Sequence, residues 1–285
     1  METLTGKTAV VTGAASGIGL ALARRFVSEG MRVLLADVDQ DALATSRRGL
    51  GGQAIAQVTD VADQRSVDEL AERAFAELGT VHVLCNNAGV AGNAPVPIWE
   101  TPFETWQWVI GVNLMGVVHG MRAFVPRMLA TGDEGHIVNT ASLAGLLAFP
   151  QGGPYAVSKH AAVIMTELLA LQLAEVGAPI KVSVLCPAWV NTRILDDERN
   201  RPDHLRVEPG MTVPPALRDE LATSMEATGL DPADVAGQVV DAILTGRSYV
   251  LPNAEWTPAI GERATRIMAG GPIAPPPAAP RAPGS

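Results

Sequence analysis

Residues 7–28 constrain the fold more than any other stretch. An apolar run, KTAVVT at 7–12, ends in Gly13-Ala14-Ala15-Ser16-Gly17-Ile18-Gly19 and passes straight into a helical pattern at 20–28. A short unbroken apolar run of this kind reads as a strand buried on both faces, which requires a parallel sheet covered by helices on each side. Glycines at the junction let the backbone turn tightly and approach a pyrophosphate, whose charge is met by amide groups at the helix N-terminus. The alternation then continues. Strands are predicted at 31–36, 54–58, 81–86, 136–140, 180–186 and 248–251, and helices at 41–50, 66–78, 103–130, 155–176 and 232–244. Pro126 should interrupt the fourth of these six helices near its end, and Asp231 is a cap candidate for the last. Such a chain is α/β: a doubly wound parallel sheet of about seven strands with helices on both faces, its topology fixed by the handedness of the crossovers.

With 285 residues, 47% of them apolar and 18% charged, the chain can bury one large core. One domain is expected over 1–269, followed by a Pro-rich tail, 270–285, that cannot bury a core of its own. The net charge of −9 argues against nucleic acid, anionic membrane and acidic carrier-protein partners, each of which needs a basic footprint. METLTGK does not resemble a signal peptide, and no apolar run reads as the roughly 20 residues that span a bilayer, so a cytoplasmic protein is expected. Cys85 and Cys186 each end a strand, in VHVLC and VSVLC, which fits buried free thiols in a reducing compartment. The five histidines and two cysteines lack metal-ligand spacing, and no metal is expected.

Chemistry-bearing residues gather after the strands. Asp37 ends the second strand about twenty residues beyond the glycine turn, where a carboxylate binds the ribose hydroxyls of an adenosine. Its alternative is a surface turn. Asp60 and Val61 follow the third strand as adenine contacts, or as turn formers. Asn87-Ala88-Gly89 closes the fourth, small enough for close backbone approach to a cofactor. Asn113 is a lone amide among apolar residues, needing partners within the structure or a held water. Ser142 stands after the fifth strand. Tyr155 and Lys159 are spaced i, i+4 on one helix face, where the ammonium favours the phenolate and makes Tyr155 an acid/base candidate near neutrality. The segment 193–228 is too long for a plain connection and reads as a substrate lid. Trp189, Phe149, Leu147, Ile194, Leu195, Met211, Val213, Leu217 and Met225 are its candidate apolar pocket residues.

These motifs resemble the short-chain dehydrogenase/reductase family in its compact, single-domain branch, over about residues 5–252: Thr12-Gly13-x3-Gly17-x-Gly19, Asn87-Ala88-Gly89, Asn113, Ser142 and Tyr155-x3-Lys159, in order and at the family's spacing. The resemblance implies a Rossmann-type fold and an NAD-dependent oxidoreductase, an alcohol dehydrogenase or ketone reductase. Tyr155 would be the general acid/base, Lys159 would lower its pKa and bind the nicotinamide ribose, Ser142 would bond the reacting oxygen, and Asn113 would anchor a relay water. Gly13, Ser16, Gly17, Ile18, Gly19, Asp37, Asp60, Val61, Asn87, Ala88, Gly89, Pro187, Val190 and Thr192 would meet the cofactor, with homo-oligomers, dimers or tetramers, as the usual assembly. One position departs: Ala188 stands where the family has glycine. More faintly, the helix around Asn113 and the GLDPADVA…SYVLPN ending look like Cα-dehydrogenases of aryl-ether breakdown. The substrate expected is a bulky, uncharged secondary alcohol or its ketone. A dinucleotide-sensing protein on the same fold is the alternative.

Overall fold

The apolar runs form strands that all pair in parallel in a computed structural model, which describes residues 1–92 and 95–277. β1 (Thr8–Thr12) lies between β2 (Arg32–Asp37) and β4 (Val83–Asn86). Beyond β2 sits β3 (Ala54–Val58), and beyond β4 come β5 (Gly135–Thr140), β6 (Ile180–Leu185) and β7 (Tyr249–Val250). The order 3-2-1-4-5-6-7 reverses between β1 and β4, and that reversal opens a crevice at the carboxyl ends of these strands.

The helices among the described residues are α1 (Gly17–Ser28), α2 (Gln40–Leu50), α3 (Gln64–Leu78), α4 (Phe103–Ile110), α5 (Gly116–Thr131), α6 (Gly153–Glu175), α7 (Pro215–Thr228), α8 (Pro232–Thr245) and α9 (Thr257–Met268). Successive strand residues point to opposite faces. Ala9, Val11, Val33 and Leu35 therefore pack with Leu22 and Phe26 of α1 and Val235 and Val239 of α8. Val10, Leu34, Leu84 and Ile137 meet Leu70 and Ala74 of α3 and Phe124 and Met128 of α5 on the other face. Each such Val, Leu or Phe contributes about 1.5–3 kcal/mol by leaving water. Asp231 caps α8, its carboxylate accepting from Ala233 N at 2.8 Å, and Cys85 and Cys186 are both free and buried.

Four features depart from the sequence reading. The long helix is not interrupted at Pro126, which sits within α5; the irregularity falls earlier, in a π-helical turn at Gly111–Met115 that links α4 to α5 and carries Asn113. Two helices, Phe103–Thr131 and Gly153–Glu175, are after all long and apolar enough to cross a membrane, but both pack on the parallel-sheet domain and bury half and a third of their apolar windows. The outer face of α6 leaves Ile164, Leu168 and Leu171 exposed. Beyond β7, where no element was expected, α9 forms and seats Ala259 and Ile260 against Leu143 and Leu147. The 193–228 segment is largely regular, with 3-10 turns at Ile194–Asn200 and Asp203–Leu205 followed by α7. Of the Pro-rich tail, residues 270–277 carry no regular structure and the rest lies outside the described residues.

Candidate active site

The glycine turn is held so tightly that side chains cannot replace its hydrogens. A Cβ on Gly13 (φ +66°) would stand 2.8 Å from Ala88 Cα, and one on Gly19 would stand 2.1 Å from the Gly13 carbonyl oxygen. Real Cβ atoms do not approach backbone so closely. The turn thereby opens the N-terminus of α1 toward a cleft of about 910 Å³, within the range of small-molecule and cofactor sites. Gly13, Ser16, Gly17, Ile18, Asp37, Asp60, Val61, Asn87, Ala88, Gly89, Pro187, Val190 and Thr192 all line it. Gly19 does not; it supports the turn from behind, against Gly13 and the Asn87 side chain.

Asp37 is fixed before any ligand arrives. Its carboxylate accepts from Ala15 N at 2.9 Å and from Asp39 N at 3.0 Å, leaving it on the cleft wall at the end of β2. Asp60 forms a local turn, accepting from Ala62 N at 2.9 Å, and lies on the cleft wall. Asn87 is locked by Thr12: its backbone N–H donates to Thr12 Oγ1 (2.9 Å) and its Nδ2 donates to Thr12 O (3.0 Å). These contacts give a rigid, backbone-lined cradle whose chemistry suits a dinucleotide: amides for phosphate and a carboxylate for ribose hydroxyls.

Ser142, Tyr155 and Lys159 come together at the carboxyl end of β5. Pro154 enters the first turn of α6, where its missing N–H costs nothing, and starts the helix two residues before Tyr155. Lys159 Nζ lies 5.6 Å from the Tyr155 ring centre and donates to Thr140 O at 2.9 Å. Ser142 Oγ donates to Pro187 O at 3.3 Å. Burial dominates the electrostatics. It pushes the Tyr155 phenol above its ordinary value against the opposing effect of the Ser142 hydroxyl, and lowers Lys159 to about 8. The expected fall in the Tyr155 pKa is therefore reversed, because desolvation of the phenol outweighs the groups that would lower it, while the Lys159 ammonium is turned to a backbone carbonyl. Asn113 is fully buried and off the cleft wall. Its side chain is committed to protein: Nδ2 donates to Val90 O (2.9 Å) and Ser158 Oγ (3.1 Å), and Oδ1 accepts from Val90 N (2.8 Å).

The rest of the cleft wall is mostly apolar, with Arg193, Arg199, Asn200 and His204 among its polar members. Phe149, Trp189, Ile194, Leu195, Val213, Leu217 and Met225 line it as expected, but Leu147 packs under α9 and Met211 is absent from the wall. Sequence reasoning missed Trp108, Trp256, Leu143 and Asp197, which join the wall. Trp108 lies in the apolar helical run of α4, 3% exposed, and reaches the cleft wall where α4 packs against the 193–228 segment. Ala188 needs no left-handed backbone, since no non-glycine residue among the described ones has positive φ, and its N–H donates to Asn253 Oδ1 at 3.0 Å.

A family model described as short chain dehydrogenase matches residues 7–203. The chain belongs to the short-chain dehydrogenase family. This short-chain dehydrogenase is 39% identical over 252 residues to 1-deoxy-11-beta-hydroxypentalenate dehydrogenase of Streptomyces exfoliatus, covering 87% of this chain and 84% of the relative. It is 33% identical over 261 residues to the C alpha-dehydrogenase of a Sphingobium species, covering 90% and 83%. A solved short chain dehydrogenase/reductase from Burkholderia phymatum, in complex with NAD, shares 42% identity at a TM-score of 0.91, covering 97% of this chain and 99% of that one. The dehydrogenase thus has the Rossmann-type fold and the oxidoreductase class of its family.

Proposed function

We propose that the protein transfers hydride between NAD(H) and a bulky, uncharged secondary alcohol or its ketone. The observation that carries this reading is one cleft in which the glycine cradle, the Ser142, Tyr155 and Lys159 cluster and a wall of Trp108, Trp189 and Trp256 are continuous. Bound NAD supplies the hydride acceptor for oxidation, and NADH the donor for reduction. In oxidation, deprotonated Tyr155 Oη takes the hydroxyl proton while the carbinol C–H bond breaks. Ser142 Oγ–H donates to the same oxygen as it becomes a carbonyl. Lys159 favours the phenolate by charge and meets the ribose hydroxyls of the bound cofactor. Asn113 holds Val90, and with it the wall beside the reacting groups.

Since burial raises the Tyr155 pKa, the phenol form prevails at neutral pH and serves ketone reduction; oxidation gains as pH rises and phenolate forms. Asp37 would repel a 2′-phosphate, and neighbouring Ala15, Ser16 and Val38 carry no cation, so NAD is favoured over NADP. Apolar fit discriminates by only about 1–3 kcal/mol per methylene, so the substrate range should be broad. A sensor protein on the same fold would have no use for a Tyr155, Lys159 and Ser142 cluster in its ligand cleft. The same reading includes a cytoplasmic location and a dimer or tetramer closing over the exposed Ile164, Leu168 and Leu171 of α6. It is tested by offering NAD with a panel of alcohols and following the reduced-nicotinamide absorbance: turnover of aryl or cyclic secondary alcohols supports it, and binding without turnover of any alcohol or ketone refutes it.

A further inference from the structure

Asp197 stands out among the acids of the 193–228 segment because it is 7% exposed. A single oxygen, Oδ2, accepts from Ala91 N at 2.7 Å and Gly92 N at 2.8 Å, two amides of the loop that follows β4. Four residues on, Arg201 is equally buried, at 5%. Its guanidinium is paired with Glu198 by two bonds of 2.8 Å, donates to Leu205 O at 3.1 Å and Thr105 Oγ1 at 3.4 Å, and stacks 4.2 Å over the Trp108 ring. The first half of the segment is thus fastened at two points to elements that do not belong to it. Both lie beside the cleft: Ala91 and Gly92 directly follow Val90, which exchanges two hydrogen bonds with Asn113, and Trp108 is part of the apolar wall.

We propose that Asp197 and Arg201 are positioning residues that clasp the 193–205 segment shut over the substrate end of the cleft and fix its volume. This rests on the reading of that end as the substrate site. Buried charge is expensive unless fully bonded, so carboxylate and guanidinium are spent on holding this geometry. Charge-assisted bonds are roughly twice as strong as neutral ones, and the clasp therefore sets how often the segment opens. Ile194 and Leu195, carried on the same turn, line the cleft in this clasped arrangement. The glycine turn and Asp37, which form the far part of the dinucleotide cradle, lie on β1, α1 and β2, and none of the clasp's bonds reaches them.

The experiment compares wild type with Asp197→Asn, Asp197→Ala and Arg201→Met in two assays. In the first, KM and kcat for 1-phenylethanol or cyclohexanol are measured beside the Kd for NADH. The expected result is a KM raised about tenfold or more in Asp197→Ala, less in Asp197→Asn because the amide oxygen still accepts, with the NADH Kd within about twofold of wild type. In the second, trypsin cleavage after Arg199 and Arg206, both exposed, is timed with NADH present; cleavage should quicken in all three variants while the fold, by circular dichroism, persists. Unchanged KM together with unchanged cleavage overturns the clasp, as does an equal loss of NADH affinity. If wild type turns over none of the alcohols, the proposed function fails, and the cleavage rates still decide the clasp.

Discussion

Replacing Lys159 by Met should stabilise the protein while disabling it. The ammonium is 3% exposed, and its burial takes the pKa from the ordinary 10.5 to about 8. That fall corresponds to roughly 3 kcal/mol of disfavoured charge in the folded state at neutral pH. For a Lys with a depressed folded pKa, the penalty is complete below about pH 8. It is relieved as pH rises from there to 10.5, since over that interval the unfolded chain still binds a proton that the folded chain has released. Met fills a similar volume without charge, but leaves buried Thr140 O without its 2.9 Å donor, a loss of about 1–3 kcal/mol. The net gain is about 0–2 kcal/mol at pH 7, or up to about 4 °C in Tm for a chain of this size. Thermal unfolding of both proteins at pH 7, 9 and 10.5, with activity assayed alongside, tests the reasoning. A variant less stable than wild type at pH 7, or an advantage that does not shrink toward pH 10.5, would refute it.

Tyr155→Phe should lower turnover by about 10²–10⁴-fold with NAD binding nearly intact, measured by steady-state rates and cofactor titration. Oxidation by wild type should rise with pH in line with the raised phenol pKa, and a rate that falls between pH 7 and 9 contradicts that assignment. Asp37→Ala should narrow the preference for NAD over NADP in kcat/KM; a wild type that already prefers NADP would overturn the role given to this carboxylate. Trp189→Ala, at a side chain 45% exposed on the cleft wall, should raise KM for bulky alcohols by about tenfold, leaving thermal stability little changed. If the proposed dimer or tetramer closes over α6, Leu168→Arg on its exposed face should give smaller species than wild type in light scattering, and an unaltered mass would exclude that face as the interface.

What was readable in the sequence was mostly local. The glycine turn announced itself because Gly13 and Gly19 answer to backbone a few residues or one strand away, and Tyr155 and Lys159 because helix geometry alone sets their spacing. Short unbroken apolar runs marked the strands, and a Pro and an Asp marked the starts of α6 and α8. What escaped depended on tertiary packing. The π turn at Gly111–Met115 is tied to Asn113 bonding Val90, a contact 23 residues apart, and nothing in the helical pattern marks it. Asp197 was one acid among several in its segment until folding brought it 105 residues back to Gly92. The reversal at Tyr155 has the same origin: spacing predicts a neighbouring charge, while only the packed site shows a partly desolvated phenol beside a buried ammonium. The apolar face of α9 is short, Ala259 and Ile260, and its partners Leu143 and Leu147 lie far back in the chain.

The central claim is that one cleft performs hydride transfer on bulky, uncharged secondary alcohols with Tyr155 as acid/base. The most direct measurement is the initial rate of NADH appearance at mildly alkaline pH with 1-phenylethanol, cyclohexanol, a primary alcohol, a hydroxy acid and a sugar, run in parallel on wild type and Tyr155→Phe. The account predicts the highest kcat/KM for 1-phenylethanol or cyclohexanol, and a loss of at least about a hundredfold in the variant. A best rate with the hydroxy acid or the sugar, or a variant as fast as wild type, would contradict it.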